Sequence, residues 1–358
     1  MSIKRFSGQI MTALALFIIA AGSLTAQPAG YYNGTEGLNG IQLRSALHNI
    51  IKNHNSLTYG DLWDAFTTTD KKTNGKVWDM YSDVPGGTPP YQYTFGSDQC
   101  GNYNGEGDCY NREHSWPKSW FNDNYPMYSD LFHLYPTDGY VNGKRSNYPY
   151  GEVGSSSWTS QNGSKVGNNT YPGNSETVFE PIDAYKGDFA RTYFYMCTRY
   201  YTEDAGWENN GMINGANLKA WAQDMLIEWH HSDPVSPKET DRNNAVYAYQ
   251  NNRNPFIDHP EFADKIWGDP ATSTSIKTRL RAEIFPNPCV DQLMVTVPEN
   301  QPHMLISLSA VNGQLMVRHT ATDVNQVILN VAELPQGLYL IEVTAEGGVF
   351  RGKLIKTQ

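Results

Sequence analysis

The sequence predicts an α+β domain, mainly helical and built around a strand–strand–helix unit, followed by a small all-β domain. Three observations support this prediction. Apolar residues recur at helical spacing over much of the first 270 positions. A short polar strand near position 112 stops before a proline and precedes a helix-like segment. After about position 284 apolar and polar residues alternate, as they do in half-buried strands.

The first 26 residues have the pattern of a secretory signal. Lys4 and Arg5 precede an apolar run over about 10–21, and small residues precede a cleavage site that we place after Ala26. The run is too short to span a bilayer, and no later segment approaches the roughly 20 apolar residues that a spanning helix needs. We expect an exported protein without a transmembrane segment once the signal is removed.

The main domain is predicted to span 27–269. A strand is predicted at 77–81, and polar loops are predicted at 85–107 and 151–174. A rigid turn at 254–260 is expected to close this part of the chain. Helical patterns occupy parts of 40–66, then 187–200, 217–229 and a segment that opens at Arg242.

A linker is predicted at 270–282 and a β-sandwich at 283–358. The linker is rich in Ser and Thr, whereas the sandwich shows apolar residues at every second position and turn signals such as Asn312-Gly313. The domain holds few groups capable of catalysis, so we expect no chemistry there. The alternating apolar sets are Leu293/Val295/Val297, Val327/Leu329/Val331 and Tyr339/Ile341/Val343.

Charge and cysteine content limit the possible functions. The net charge of −10 argues against a broad basic surface for nucleic acid, so any such binding must be local. Four cysteines are too few for a disulfide scaffold, and no Cys-x-x-Cys pattern suggests zinc. We predict that Cys100 and Cys109 pair across a Gly- and Asn-rich loop and that Cys197 is a buried free thiol. Cys289 belongs to the other domain.

The strongest chemical signal is a carboxylate, an imidazole, an amide and a guanidinium within about 35 residues. Glu113 and His114 precede Pro117, and the segments 130–134 and 142–147 follow. Such a set suits a hard divalent cation beside a phosphate and a water activated next to it. Neighbouring strand residues point to opposite faces, so Glu113 and His114 converge only if the strand ends or twists there. Pro117 cannot continue a ladder and supplies such an ending, so we expect the two side chains to converge on one site.

The residues after this strand are predicted to return and enter a helix. The segment 129–135 is the predicted second strand, and 136–139 is the predicted turn. On the helix Asn142, Arg145 and Ser146 fall at i, i+3 and i+4 and share a face.

These motifs resemble the bacterial endonuclease I family, a branch of the His-Me finger (ββα-metal) nucleases. The resemblance covers about 37–267 and includes the run 112–117, Asp130-Leu131, His133-Leu134 and the segment 141–147. It implies that His114 is the general base and that Glu113 and Asn142 bind Mg²⁺, with Mn²⁺ or Ca²⁺ as alternatives. It also implies hydrolysis of DNA, and in many members of RNA too, with little sequence specificity and 5′-phosphate products.

The chain departs from that family in one respect. Other members carry an insertion between the Glu-His pair and the Asp-Leu-His stretch, and an arginine in it stabilises the transition state. Here only fifteen residues without an arginine separate His114 from Asp130. Arg145 is the leading substitute, followed by Arg112 and Arg242.

Supporting roles are expected for several other residues of the motifs. We expect Asp130 to orient His114 or a water, or to cap local backbone, and His133 to make a structural hydrogen bond rather than bind metal. Ser146 and Asn147 are candidates for substrate contact or for supporting the metal ligands. Trp116 and Trp120 are expected to pack in the core rather than stack on bases.

The last 75 residues resemble the sorting domain of proteins exported by the type IX secretion system. Phe285-Pro286-Asn287-Pro288, Leu338-Tyr339 and the closing segment 353–356 carry this resemblance. It implies transit through the periplasm, then release or attachment at the cell surface.

Two other functions stay open at this point. The acidic charge, 23 tyrosines and 9 tryptophans would also suit a surface adhesin or glycan-binding protein without catalysis. A phosphodiesterase acting on small substrates would use the same set of residues as a nuclease.

Overall fold

The computed structural model describes residues 27–268, 282–302, 304–310, 315–345 and 348–358. The predicted signal, the turn at Asn312-Gly313 and all but the last residue of the predicted linker lie outside these ranges. Clustering of contacts divides the chain into two units at Gly268 and Asp269. Within the described ranges no helix combines the length and apolarity needed to cross a membrane.

The first unit combines helices with short strands, which confirms the α+β prediction. Its helices are α1 (Gly40–Ile51), α2 (Leu62–Thr69), α3 (Gly139–Arg145), α4 (Lys186–Arg199), α5 (Ala220–Ser232), α6 (Pro237–Gln250), α7 (Pro255–Asp258) and α8 (Glu261–Trp267). Its strands are β1 (Tyr110–His114), β2 (Leu134–Asp138), β3 (Val153–Thr159), β4 (Lys165–Asn169), β5 (Thr177–Glu180), β6 (Ile213–Asn214) and β7 (Asn217–Leu218). Short 3₁₀ turns lie at Lys118–Phe121, Met127–Ser129 and Asp183–Tyr185.

Helix α4 forms the centre of the core. All of its residues are buried, and α1, α5 and α7 pack against it. Helix α1 contributes Leu43, Leu47 and Ile51, which share one face because they lie three or four positions apart. The helices predicted at 187–200 and within 40–66 are confirmed. Helix α5 begins at Ala220, three residues after the predicted start, because Asn217 and Leu218 pair with β6 instead.

Besides the hairpin described below, four sequence predictions in this unit were wrong. The helix predicted to open at Arg242 begins at Pro237, where Ser236 and Glu239 form a capping box. The predicted loop at 151–174 contains β3 and β4. Strand β3 is mostly exposed, so its pairing needs no apolar alternation and the polar sequence hid it.

The other two differences are local. The predicted strand at 77–81 is reduced to one isolated bridge, Lys71↔Val77, because Asp79 accepts the Tyr81 amide and the chain turns there. The predicted rigid turn at 254–260 contains α7, which Asn254 caps by accepting from the Phe256 amide.

Strands β1 and β2 pair antiparallel and lead directly into α3. The register places Arg112 opposite Pro136 and Glu113 opposite Tyr135. Pro136 was predicted in a turn but lies inside β2, where a proline is tolerated because this sheet has only two strands. The returning strand thus runs from 134 to 138, later than predicted. Asp138 caps α3 by accepting from the Val141 amide.

The second unit is all-β, as predicted. Its strands are β8 (Glu283–Phe285), β9 (Gln292–Gln301), β10 (Met304–Ala310), β11 (Leu315–Ala321), β12 (Val324–Asn330), β13 (Gly337–Ala345) and β14 (Gly348–Lys356). They form a four-stranded sheet in the order β11-β10-β13-β14 and a three-stranded sheet in the order β12-β9-β8. The alternating residues Leu293, Val295 and Val297 are buried in one core with those of β10 and β13.

Candidate active site

Strand β1 divides the predicted site residues between its two sides, as alternation along a strand requires. On one side, which we call the helix side, Asn111 and Glu113 contact α3. Asn142 Nδ2 donates to Asn111 Oδ1 over 2.7 Å. On the other side, which we call the tyrosine side, Arg112 and His114 both lie against the ring of Tyr59.

Glu113 is the centre of the helix side. It is 2% exposed, and its Oε1 accepts a hydrogen bond from the Tyr81 hydroxyl (2.9 Å) and lies 3.2 Å from Arg145 Nη1. Burial raises the pKa of Glu113 to about 7, although Arg145 and Tyr81 act to lower it. A cation bound at this carboxylate would add a further positive charge and lower that pKa.

Two oxygen atoms on the helix side are left for a ligand. Within the part of the chain that the structure describes, neither Glu113 Oε2 nor Asn142 Oδ1 has a hydrogen-bond partner. The bond from Asn142 Nδ2 to Asn111 directs the amide oxygen away from Asn111. Carboxylate and amide oxygens are ligands that Mg²⁺ accepts, and Mg²⁺ usually keeps several waters when the protein supplies only one or two ligands. The donor set therefore fits this ion.

Larger metal clusters are not found. No group of three or more His, Cys, Asp or Glu side chains in the described ranges could hold a metal ion.

His114 occupies the tyrosine side with one ring nitrogen anchored. It is 6% exposed, and its Nε2 lies 3.2 Å from the carbonyl oxygen of Tyr128. Because a carbonyl only accepts, Nε2 carries the proton and Nδ1 keeps its lone pair. Burial, with help from the neighbouring His133, lowers the pKa of His114 well below its ordinary value. The ring is therefore neutral at pH 7, which is the form that a general base requires.

Arg145 is enclosed by the protein. It is 1% exposed, and its guanidinium donates to the carbonyl oxygens of His114 and Ser115 besides pairing with Glu113. Arg145 thereby fixes the end of β1 and the Glu113 carboxylate, but it presents no surface to a substrate. The sequence argument had made it the leading candidate for phosphate contact.

Arg112 is the arginine beside His114 whose charge has no acidic partner. Its guanidinium lies 3.5 Å from the Tyr59 ring centroid and 4.3 Å from that of Trp63, and it donates to the Tyr59 carbonyl. In the described residues no carboxylate pairs with it, and the side chain is half-buried. Arg242, by contrast, is buried in an ion pair with Asp70.

The remaining predicted residues support the site from further away. Asp130 does not contact His114 but accepts hydrogen bonds from the hydroxyls of Tyr195 and Tyr200. Burial acts to raise the pKa of Asp130, yet His54, His133 and hydrogen bonds from Gln250 and the Phe132 amide lower it to about 2. His133 is fully buried with Nε2 2.6 Å from the Met127 carbonyl, which is the structural role that we expected.

Two predicted residues lie outside these contacts. Ser146 and Asn147 follow α3 and are exposed, and neither makes a side-chain hydrogen bond within the described chain. Ser146 has a positive φ of 52°, which ends the helix. Trp116 and Trp120 are buried in the core, as predicted.

The disulfide between Cys100 and Cys109 is present, as predicted, and Cys197 is a buried free thiol. The loop that it closes brings Tyr103 onto α3. A Cβ at Gly139 or Gly143 would lie 2.6 Å from the Tyr103 side chain, so both positions need glycine for this close approach.

Sequence reasoning missed several residues that build the site. Asn111 could have been found, because it lies two positions before Glu113 and so shares its face of the strand. Tyr59, Tyr81 and Tyr128 come from loops or turns distant in sequence, and no local pattern marks them.

Comparison with known proteins identifies a family for each unit. The family model described as Endonuclease I matches residues 39–261, and the one described as Secretion system C-terminal sorting domain matches 283–357. An extracellular ribonuclease of Bacillus subtilis (strain 168) is 36% identical over 266 residues, which are 72% of this chain and 84% of that protein. The extracellular ribonuclease of Bacillus amyloliquefaciens is 36% identical over 252 residues, 68% of this chain and 80% of that protein.

A third relative shares a shorter region. The periplasmic deoxyribonuclease of Aeromonas hydrophila is 28% identical over 133 residues, which are 37% of this chain and 48% of that protein.

These matches settle the class of protein. The second unit is a type IX secretion sorting domain, so the chain is exported to the cell surface or the medium. The match over 39–261 includes β1, β2 and α3 with the residues on both sides of β1, and a non-catalytic adhesin is not favoured. The chain belongs to the endonuclease I family and is a nuclease.

Proposed function

We propose that this exported nuclease is a metal-dependent endonuclease that hydrolyses phosphodiester bonds of DNA and RNA with little sequence specificity, using His114 as general base and one Mg²⁺ ion. The observation that supports it most is the state of His114. Its Nε2–H is anchored to the Tyr128 carbonyl, and its burial keeps the ring neutral.

Nδ1 of His114 removes the proton from the attacking water. Anchoring at Nε2 fixes the ring plane and the tautomer, so the lone pair is directed before substrate arrives. The water attacks phosphorus in line with the leaving 3′ oxygen, and the product strand carries a 5′-phosphate.

Glu113 and Asn142 hold the cation on the helix side through Oε2 and Oδ1. When bound, Mg²⁺ (or Mn²⁺ or Ca²⁺, which take similar oxygen ligands) neutralises charge on the phosphate and on the leaving oxygen. Arg145 holds the Glu113 carboxylate in place, and Asn111 orients the Asn142 amide. The positioning of both ligands thus depends on groups that touch neither metal nor substrate.

The two sides of β1 act together at its free edge. One edge pairs with β2, and in the described residues the other is bridged only at Tyr110, by Gln99. A phosphate at the open edge near His114 would meet the tyrosine side and the helix side at once. Arg112 is the guanidinium that we assign to that phosphate, because its charge has no acidic partner.

DNA and RNA are both proposed as substrates. The relatives are named ribonucleases and deoxyribonucleases. A site built from a cation, an imidazole and an arginine contacts phosphate, which carries no sequence information.

The test is degradation of plasmid DNA and of ribosomal RNA by the purified protein. We expect cleavage with Mg²⁺, none with EDTA, and loss in His114→Ala, with 5′-phosphate ends detected by ligation. Hydrolysis of bis-p-nitrophenyl phosphate without cleavage of plasmid or RNA would contradict the proposal and favour a phosphodiesterase for small substrates.

A further inference from the structure

We propose that three tyrosines next to His114 bind an unpaired nucleobase of the substrate strand, so that the enzyme favours single-stranded segments. We call Tyr59, Tyr128 and Tyr125 the tyrosine row. The inference rests on the proposed nuclease site and adds to it the conformation of the substrate.

The rings of the row follow one another outward from the general base. The Tyr59 ring is stacked on that of His114 at a centroid distance of 5.8 Å, and the Tyr128 ring lies 5.2 Å from His114. Tyr59 and Tyr128 are 4.5 Å apart, and Tyr125 is 5.4 Å from Tyr128. The row therefore begins at the reacting groups and ends at the surface.

Exposure separates these rings from the other aromatic residues near the motif. Tyr125 is 54% exposed and Tyr59 and Tyr128 are half-buried, whereas Trp116 and Trp120 are buried in the core. The outer end of the row is thus available to a ligand.

Two cationic side chains lie beside rings of the tyrosine row. The Arg112 guanidinium lies over Tyr59, and Lys118 Nζ lies 5.6 Å from the Tyr128 ring centroid. The Lys118 side chain is 47% exposed, and its one partner among the described residues is Asp123, itself half-exposed. On a chain with a net charge of −10, two cations beside half-buried aromatic rings, one of them without an acidic partner in the described residues, favour a local site for an anion. Phosphates on either side of a stacked base fit this pattern.

The ligand that matches both features is a single-stranded nucleotide segment. Every nucleobase has a π-face, so stacking on tyrosine tolerates any sequence. In a duplex the faces are covered by neighbouring base pairs, and stacking on Tyr125 would require the base to leave the helix. Phosphate contacts by Arg112 remain available to both forms of substrate.

The test is binding of labelled oligonucleotides to the full chain in EDTA, which prevents cleavage. Fluorescence anisotropy would compare a 12-nucleotide oligo-dT with a 12-base-pair duplex for wild type, Tyr125→Ala, Tyr125→Phe and Tyr201→Ala. Tyr201 is the control, because it is a partly exposed tyrosine that lies against Arg44 (4.5 Å) and has no ring contact with the row. Thermal melting checks that each variant is folded.

We expect Tyr125→Ala to weaken binding of the single strand about fivefold or more while the duplex changes less than twofold. Tyr125→Phe and Tyr201→Ala should bind the single strand as wild type does. Equal weakening for both oligonucleotides, or none for either, would overturn the proposal. So would binding of a soluble polysaccharide that depends on Tyr125 when oligonucleotide binding does not.

Failure of this inference is distinguishable from failure of the proposed function. If His114→Ala cleaves plasmid within tenfold of the wild-type rate, the assignment of the base is wrong whatever the binding data show. If His114→Ala is inactive but Tyr125→Ala binds both oligonucleotides normally, only the tyrosine row is wrongly assigned.

Discussion

The two sides of β1 differ in how completely the protein satisfies their charges. On the helix side Glu113 is buried against Arg145 and Tyr81, and Asn142 is tied to Asn111. On the tyrosine side Arg112 has no acidic partner in the described residues, and Nδ1 of His114 has none either. The charge on the helix side is compensated within the protein, whereas in the proposed function Arg112 and His114 Nδ1 on the tyrosine side are left to act on a substrate.

The two arginines of the motif show what this difference means. Arg145 has the more suggestive position in the sequence, on the same helix as Asn142. The fold uses it inside the protein, where it neutralises Glu113, and leaves Arg112 unpaired on the other side. A buried, paired arginine contributes to stability and positioning, and an unpaired one beside the base is the better candidate for transition-state contact.

Replacing the base should have the largest effect on activity. General base catalysis contributes about 10²- to 10⁴-fold, so His114→Ala should lower kcat on plasmid by that factor. His231→Ala removes an exposed histidine paired with Asp264 and should leave kcat unchanged. A loss below tenfold in His114→Ala would show that another group takes the proton.

Removing the buried arginine should affect stability first. Arg145→Ala leaves the Glu113 carboxylate buried without its partner, which costs about 3–5 kcal/mol in the free energy of unfolding. The measurement is denaturant unfolding of the first unit. Asp123→Asn, which breaks the exposed pair with Lys118, should leave the unfolding curve unchanged. Equally small changes in the free energy of unfolding for Arg145→Ala and Asp123→Asn would contradict the claim that Arg145 compensates the buried Glu113 charge.

Removing the unpaired arginine should affect catalysis and spare stability. Arg112→Ala should lower kcat about 10²-fold, the usual cost of one transition-state contact. Its melting temperature should stay close to that of wild type, because the side chain is half-buried and has no carboxylate to leave uncompensated. Normal kcat with a lowered melting temperature would contradict this assignment and show that Arg112 serves stability, the role assigned to Arg145.

The pH dependence should report both sides of β1 separately. Below its raised pKa of about 7, Glu113 is protonated and binds a cation poorly, so activity falls as the pH falls. Added Mg²⁺ competes with the proton and should move this acid limb to lower pH. The acid limb cannot move below the pKa of His114, which lies well below 6.5, because His114 must be neutral to act as the base. A limb near pH 7 that does not respond to Mg²⁺ would contradict this assignment.

Removal of the sorting domain should have the smallest effect on activity. A chain truncated after Gly268 should cleave plasmid with the same kcat, since every proposed site residue lies in the first unit. Export from the producing cell should be lost at the same time. A folded but inactive truncated protein would show that the second unit takes part in catalysis.

The sequence predicts some parts of this molecule better than others for physical reasons. Local patterns identified α1, α4 and the alternating strands of the second unit, because their apolar periods match the faces they bury. The start of α6 was readable in Ser236-Pro237-Lys238-Glu239 but was missed, since the apolar period begins later. Strand β3 could not be predicted by that signal, because mostly exposed polar residues form it, and β4 could not because Val166 is its one apolar side chain.

The site shows the same division. The motif supplies Glu113, His114 and Asn142, but the expectation that the strand end at Pro117 brings Glu113 and His114 together was wrong, since the two lie on opposite sides of β1. The proposed roles of Arg112 and Arg145 depend on the side chains around them in the folded protein. Tyr59 and Tyr81 approach from segments more than 30 residues away. Contacts of this kind arise from tertiary packing, and no spacing rule contains them.

The most direct test is calorimetric titration of Mn²⁺ into wild type, His114→Ala, Glu113→Gln and Asn142→Ala. If the helix side holds the ion and the tyrosine side holds the base, His114→Ala binds Mn²⁺ as wild type does yet cleaves plasmid about 10²- to 10⁴-fold more slowly. Glu113→Gln and Asn142→Ala should each bind it at least tenfold more weakly. Wild-type affinity in Glu113→Gln and Asn142→Ala, together with loss of binding in His114→Ala, would contradict the division of roles between the two sides of β1.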